Sequence, residues 1–125
     1  MIIVDTDVLI EIFDKQSSKG KQAIELLEHA DEDIAITSLS LHELLYGHYK
    51  RKKNITEIQQ IHIIEFNKKD ATLSAKLEHD LEKKGNMIPR FDCMIAAITM
   101  NQKAKLFTFN TKHFQHFKKL ELFKL

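Results

Sequence analysis

Four polar residues in this sequence lie where core packing alone would favour an apolar side chain, namely Asp5, Glu43, Asp92 and Asn110. Asp5 ends an apolar run at the N-terminus, and Asn110 follows a second β-rich run late in the chain. Carboxylate and amide oxygens are the ligands that hard cations such as Mg²⁺ and Mn²⁺ prefer. Because open α/β sheets bind ligands outside the carboxyl ends of their strands, this set predicts a hard-cation site and metal-assisted hydrolysis.

Three of these residues also have structural explanations, which the sequence leaves open. Asp5 could cap the helix that follows it, although Asp7 suits that role better. Glu43 shares a narrow helix face with Ser40 and could be an ordinary solvent-exposed residue. Asn110 could be the N-cap of a short helix that runs through residue 117.

Asp92 is the strongest single signal for a site. If Pro89 is the first helical residue, Asp92 lies about a turn inside the helix, too late to cap its end. Its neighbours are apolar, and a buried carboxylate needs a cation, a hydrogen-bond donor or a metal. A salt bridge to Arg90 or to a lysine is the alternative to a metal. Neither the pair His42 and His48 nor the pair His113 and His116 matches a paired-ligand motif, so we expect these histidines on the surface.

The elements that must position these residues alternate between short β-rich runs and longer helical stretches, which predicts an α/β domain with a largely parallel sheet. The predicted strands comprise residues 2–4, 34–37, 62–66, 105–108 and, at the edge, 120–123. The predicted helices comprise residues 8–13, 21–29, 39–49 with Ser38 as N-cap, 54–61, 70–84 with Gly85 as a left-handed cap, and 89–98.

Composition restricts the class of protein. The chain has 125 residues, of which 43% are hydrophobic and 30% charged, and this fits one globular domain over residues 1–125. The single cysteine, Cys93, excludes a disulfide scaffold, and the N-terminus lacks the features of a signal peptide, so we expect a cytoplasmic protein. The net charge is only +1, so a polyanionic ligand would need a local patch or metal ions.

The chain resembles the PIN-domain ribonucleases, and within them the VapC-type toxins of toxin–antitoxin pairs, in four segments. These are Ile-Val-Asp-Thr-Asp-Val-Leu-Ile at residues 3–10, residues 38–47 around Glu43, residues 88–97 around Asp92, and residues 108–114 around Asn110. Each segment is weak alone, but together they follow the family order across nearly the whole chain. The resemblance implies a three-layer α/β/α sandwich and an acidic pocket that holds Mg²⁺ or Mn²⁺ for RNA cleavage.

Carried over by position, the resemblance assigns Asp5, Glu43 and Asp92 as acidic metal ligands and Asn110 as a further catalytic residue. Two positions depart from the family pattern, because Asp7 is commonly Asn in these toxins and Asn110 is Asp in many relatives. The resemblance also implies an RNA substrate, a small cognate antitoxin that obstructs the acidic pocket, and a homodimer.

The resulting hypothesis is hydrolysis in which a metal held by the three carboxylates activates water for in-line attack on a phosphate of RNA. Arg90 and Thr6 are candidate substrate contacts, although Arg90 could instead be a structural partner of Asp92. The basic run at residues 50–53 could contact the RNA backbone or form a solvated loop.

Two other functions stay open at this level. Asp5-Thr6-Asp7 looks like the start of a haloacid-dehalogenase-type phosphatase, but the later acidic pair and the longer chain of that family are missing. The chain could also be an interaction module that has kept the fold and lost activity. Retention of Asp5, Glu43 and Asp92 argues against such decay.

Overall fold

The computed structural model describes residues 1–51 and 56–124, and its centre is a parallel sheet. The strands are β1 (Ile2–Val4), β2 (Ile34–Thr37), β3 (His62–Ile64), β4 (Lys105–Phe107) and β5 (Glu121–Leu122). They are arranged in the order β3-β2-β1-β4-β5, and every neighbouring pair is parallel. The predicted parallel sheet is therefore confirmed, although its last three strands are shorter than predicted.

Helices cover both faces of this sheet. They are α1 (Thr6–Leu9), α2 (Ser18–Ala30), α3 (Ser38–Arg51), α4 (Lys68–Lys83), α5 (Arg90–Asn101) and α6 (Thr111–Phe114), with a π-helix at Ile10–Lys15 and a 3-10 helix at Thr56–Gln60. Alternate side chains of β1 enter different cores: Ile3 packs with α4 and α5, whereas Ile2 and Val4 pack with α1, α2 and α3. The chain thus forms the expected three-layer α/β/α sandwich.

The first helical segment differs from the one predicted over residues 8–13. α1 begins directly after Asp5 and continues without a break into the π-helix. Gly20 of α2 is buried against this π-helix, and a Cβ atom there would lie 2.2 Å from the carbonyl oxygen of Glu11. The close approach of the two helices therefore requires glycine.

Helix capping also corrects one prediction and confirms another. Ser38 is not the N-cap of α3 but its first residue, because Thr37 Oγ1 accepts the capping hydrogen bond from the backbone N–H of Ser40 at 3.1 Å. Beyond α4, Gly85 takes a φ of 81°, the left-handed conformation predicted from its position.

Helix α5 has the buried, apolar character predicted, with Cys93 and residues 95–99 all buried. Pro89 precedes this helix instead of starting it, because its φ of −53° fits a helix but its ψ of 142° does not. Asp92 therefore lies in the first turn, and its predicted place a full turn inside is wrong.

Two further predicted helical segments are shorter in the structure than predicted. Of the helix predicted over residues 54–61, the structure shows the 3-10 helix, and residues 54 and 55 lie outside the described part. The short helix after Asn110 ends at Phe114, before residue 117. Across residues 1–51 and 56–124, no helix is both long enough and apolar enough to cross a membrane.

Candidate active site

The site begins at the carboxyl ends of β1 and β4, which are neighbours in the sheet. Asp5 follows β1 and is 6% exposed. Its Oδ1 atom accepts a hydrogen bond from the backbone N–H of Thr6 at 2.8 Å, and its Oδ2 atom accepts one from Thr108 Oγ1 at 2.8 Å. Asp5 is thus the N-cap of α1, and the prediction that Asp7 suits this role better is wrong.

Asp7 instead lies in the first turn of α1 and reaches towards the segment after β4. Its Oδ2 atom accepts a hydrogen bond from the backbone N–H of Phe109 at 3.2 Å and lies 3.5 Å from Thr108 Oγ1. Thr108 therefore contacts both carboxylates, and it holds them side by side at this edge of the sheet.

The pKa of Asp5 rises from 3.8 to about 7. Burial is the largest cause, and the negative charges of Asp7 and Asp92 add to it, while the hydrogen bonds from Thr108 and the Thr6 amide oppose it. Burial also raises the pKa of Asp7. Such a concentration of buried negative charge favours either a proton or a bound cation.

Asp92 enters the same site from α5. Its Oδ2 atom lies 2.8 Å from His113 Nδ1, and because a carboxylate only accepts, the imidazole N–H is the donor. The Asn110 amide nitrogen lies 2.8 Å from the same imidazole nitrogen, and its side chain makes no capping hydrogen bond to α6. Asn110, predicted to lie at the edge of the sheet with Asp5, is thus placed beside His113, the hydrogen-bond partner of Asp92.

The structure excludes one alternative for this group and adds a contact that the sequence did not predict. Arg90 does not pair with Asp92, because its Nε atom donates to Glu78 Oε1 at 3.0 Å on the protein surface. His113 is partly exposed, as expected of a surface histidine, but its imidazole also contacts Asp92. The clue available in the sequence was its spacing of three residues from Asn110, which places both residues on one helical turn.

Glu43 reaches the site from α3 through a buried hydroxyl pair. Thr6 Oγ1 lies 2.8 Å from Glu43 Oε1 and 2.9 Å from the hydroxyl of Ser40, which is fully buried. Because a hydroxyl carries one proton and a carboxylate only accepts, Thr6 donates to Glu43 and accepts from Ser40. Thr6, predicted as a substrate contact, lies next to Asp5 and positions Glu43 in the structure.

The donor set suits a hard cation, although the side chains do not enclose one. Within the described part of the chain, no three Asp, Glu, His or Cys side chains lie close enough together to hold a metal ion as they stand. Mg²⁺ usually keeps several water ligands and binds through one or two carboxylates, so three protein ligands are not required. The oxygen donors of Asp5 and Asp92, which interact electrostatically, fit that requirement.

Lys50 and Arg51, the first two residues of the predicted basic run, lie at the end of α3. Arg51 forms an ion pair with Asp14 of the π-helix, and Lys50 lies 5.2 Å from the ring centroid of Tyr46. Residues 52 and 53 lie outside the described part of the chain. An RNA contact by this run stays a prediction.

Comparison with known proteins identifies the family. The sequence model of the PIN domain matches residues 2–120, so the chain belongs to the PIN-domain family. Within that family, it is 31% identical to Ribonuclease VapC2 of Rickettsia felis, with 96% of this chain and 94% of that protein covered. It is 32% identical to Ribonuclease VapC1 of Methanocaldococcus jannaschii, with 97% of this chain and 84% of that protein covered.

A solved structure of a related complex supports the same family assignment. The crystal structure of VapBC2 from Rickettsia felis, bound to a DNA fragment from its promoter, contains a chain with a TM-score of 0.79 to this one. The two are 28% identical, and the match covers 100% of this chain and 99% of the other. The resemblance predicted from the four segments is confirmed, and the family match over nearly the whole chain leaves no support for a haloacid-dehalogenase fold.

Proposed function

We propose that this protein is the endoribonuclease toxin of a toxin–antitoxin pair, and that it hydrolyses RNA phosphodiester bonds with Mg²⁺ or Mn²⁺ held by Asp5, Asp92 and Glu43. Its class as a ribonuclease follows from membership of the PIN-domain family and from its VapC ribonuclease relatives. The observation that carries the metal dependence is the buried Asp5 carboxylate, which Thr108 holds beside Asp7 and which interacts electrostatically with Asp92.

The side chains around the carboxylates support this proposal by fixing their orientation. The Thr6 amide and Thr108 hold the two oxygens of Asp5, and the Thr6 hydroxyl holds Glu43. A bound divalent cation would supply activation of water and neutralisation of the charge on the phosphate. We assign to His113 the orientation of Asp92, because hydrogen-bonded partners behind metal ligands fix their geometry.

Asn110 completes the proposed catalytic set. Its side chain lies against His113, whose imidazole contacts Asp92, so Asn110 is beside the carboxylates. An amide oxygen can also accept a hydrogen bond from water beside the carboxylates.

The proposed partners follow from the relatives. The Rickettsia felis neighbour is a VapBC complex, which supports a small cognate antitoxin for this chain as well. We also propose a homodimer. The antitoxin would cover the acidic edge formed by Asp5, Asp7 and Asp92, and this would restrain the enzyme until the antitoxin is removed.

The test is cleavage of total RNA with mapping of the new 5′ ends, in Mg²⁺, in Mn²⁺ and in EDTA. Unmodified protein and two variants are compared: Asp92→Asn, and the matched control Asp80→Asn on the outer face of α4, where the carboxylate pairs with Lys76. We expect metal-dependent cleavage at defined sites by the unmodified protein and by Asp80→Asn, and none by Asp92→Asn. Full activity of Asp92→Asn, or activity in EDTA, would refute the metal mechanism, whereas an inactive unmodified protein would favour the interaction module.

A further inference from the structure

We propose that Lys19, held over the ring of Phe109, binds a backbone phosphate of single-stranded RNA beside the acidic edge, an inference that rests on the proposed ribonuclease function. The Lys19 Nζ atom lies 4.2 Å from the centroid of the Phe109 ring, within the range of a cation–π contact. Carboxylates repel RNA, so a positive side chain beside them would help a phosphate to approach in addition to any bound cation. Arg90 is already paired with Glu78.

The contacts of Phe109 place this amine next to the acidic edge. The backbone N–H of Phe109 donates to Asp7 Oδ2 at 3.2 Å, and the Lys19 Nζ atom lies over the ring of the same residue. Lys19 is close enough to Asp7 for its charge to lower the pKa of that carboxyl, against the effect of burial. An RNA strand that enters the site at Asp5 and Asp7 would therefore pass the amine of Lys19.

The Phe109 ring provides a well-packed support for the long side chain of Lys19. Phe109 packs edge-on against buried Phe107, with ring centroids 5.8 Å apart and an interplanar angle of 80°. Lys19 itself is exposed, so its amine is accessible to a ligand while the ring limits where the amine can go. A compact ammonium group with three donors suits a phosphate oxygen.

The helix dipole does not favour a lysine at this position. Lys19 lies in the first turn of α2, which begins at Ser18 with Ser17 as its N-cap. A positive side chain there opposes the helix dipole, which favours anions at an N-terminus. Lys19 and the N-terminus of α2 together form a locally positive surface beside the acidic edge. Such a surface would attract an RNA phosphate that has to approach the carboxylates.

The test measures binding of a fluorescein-labelled single-stranded RNA oligonucleotide that the unmodified protein cleaves. Fluorescence anisotropy at several KCl concentrations is recorded in the Asp92→Asn background, which keeps the RNA intact. The variants are Lys19→Gln, Lys19→Arg, Phe109→Leu and the double variant of Lys19→Gln with Phe109→Leu. The matched control is Lys21→Gln, which removes the same charge from an exposed position two residues further along α2.

Loss of one phosphate contact should reduce the slope of log K against log [KCl] by about 0.7 in Lys19→Gln, but not in Lys21→Gln or Lys19→Arg. Phe109→Leu should weaken binding about two- to fivefold, the value of an exposed cation–π contact. In the Lys19→Gln background the same change should add nothing, because Phe109 acts through Lys19.

The possible results distinguish failure of the Lys19 phosphate contact from failure of the proposed ribonuclease function. If the unmodified protein cleaves RNA but Lys19→Gln binds it with the same affinity and salt slope as Lys21→Gln, the phosphate contact is refuted while the ribonuclease stands. Equal effects of Phe109→Leu in both backgrounds would refute the positioning role of the ring. If the unmodified protein cleaves no RNA, the proposed function fails first.

Discussion

Substitution of Asp5 by asparagine should remove a pH-dependent loss of stability from the metal-free protein. Asp5 has a pKa of about 7 in the folded protein, against 3.8 for an unperturbed group. Below pH 3.8 the Asp5 carboxyl is protonated in both the folded and the unfolded protein, so it does not reduce the free energy of unfolding there. As the pH rises towards 7, the unfolded chain releases its proton while the folded protein retains it, so folding becomes less favourable.

The magnitude follows from the pKa difference, which is about three units at about 1.4 kcal/mol each, or about 4 kcal/mol in total. Part of this loss already occurs below pH 5, so about 3 kcal/mol should be lost between pH 5 and pH 8. Asparagine has nearly the same shape and no charge. It can still accept the hydrogen bond from the Thr6 amide, which at present reaches Asp5 Oδ1 at 2.8 Å.

Urea denaturation in EDTA at pH 5, 6, 7 and 8 measures this effect. We expect the free energy of unfolding of the unmodified protein to fall over this interval, and that of Asp5→Asn to fall much less, so that the variant is the more stable protein at pH 8. Asp80→Asn, which changes a more exposed carboxylate, serves as the control and should follow the unmodified protein. The same pH dependence in Asp5→Asn and the unmodified protein would refute the assignment of the raised pKa to Asp5.

Three further substitutions test how the fold positions the site. Gly20→Ala should lower the free energy of unfolding by about 1–3 kcal/mol in chemical denaturation, because the new Cβ would lie 2.2 Å from a carbonyl oxygen of the π-helix. Unchanged stability would contradict the close packing of α2 against the π-helix. Thr6→Val should release Glu43 and lower the rate of RNA cleavage about 10- to 100-fold in a metal-containing assay, whereas Thr6→Ser should retain most activity. His113→Ala should weaken Mn²⁺ binding by about tenfold in calorimetry, and unchanged affinity would exclude a role in orienting Asp92.

The sequence predicts those parts of the fold that depend on local pattern. The apolar run of β1 indicates a central buried strand, and all three of its residues are at most 1% exposed. Gly85 indicates the end of α4 because few other residues adopt its φ of 81°. Helix starts are less predictable: proline fixes φ but not ψ, so Pro89 in the sequence was compatible with either side of the helix boundary.

The contacts that organise the site join residues far apart in the chain, and local pattern does not encode them. Thr108 contacts Asp5 across 103 positions, and His113 contacts Asp92 across 21. The four predicted site residues were conspicuous because of their chemical type. Thr108 and His113 were not, because a hydroxyl or an imidazole after a strand has many ordinary explanations.

The central claim is that the acidic edge binds a divalent cation, and calorimetric titration of Mn²⁺ into the metal-free protein tests it most directly. We expect saturable binding by the unmodified protein and by Asp80→Asn, and an affinity at least about tenfold weaker for Asp92→Asn. Equal affinity of Asp92→Asn and the unmodified protein, or the absence of Mn²⁺ binding by the unmodified protein, would contradict the claim.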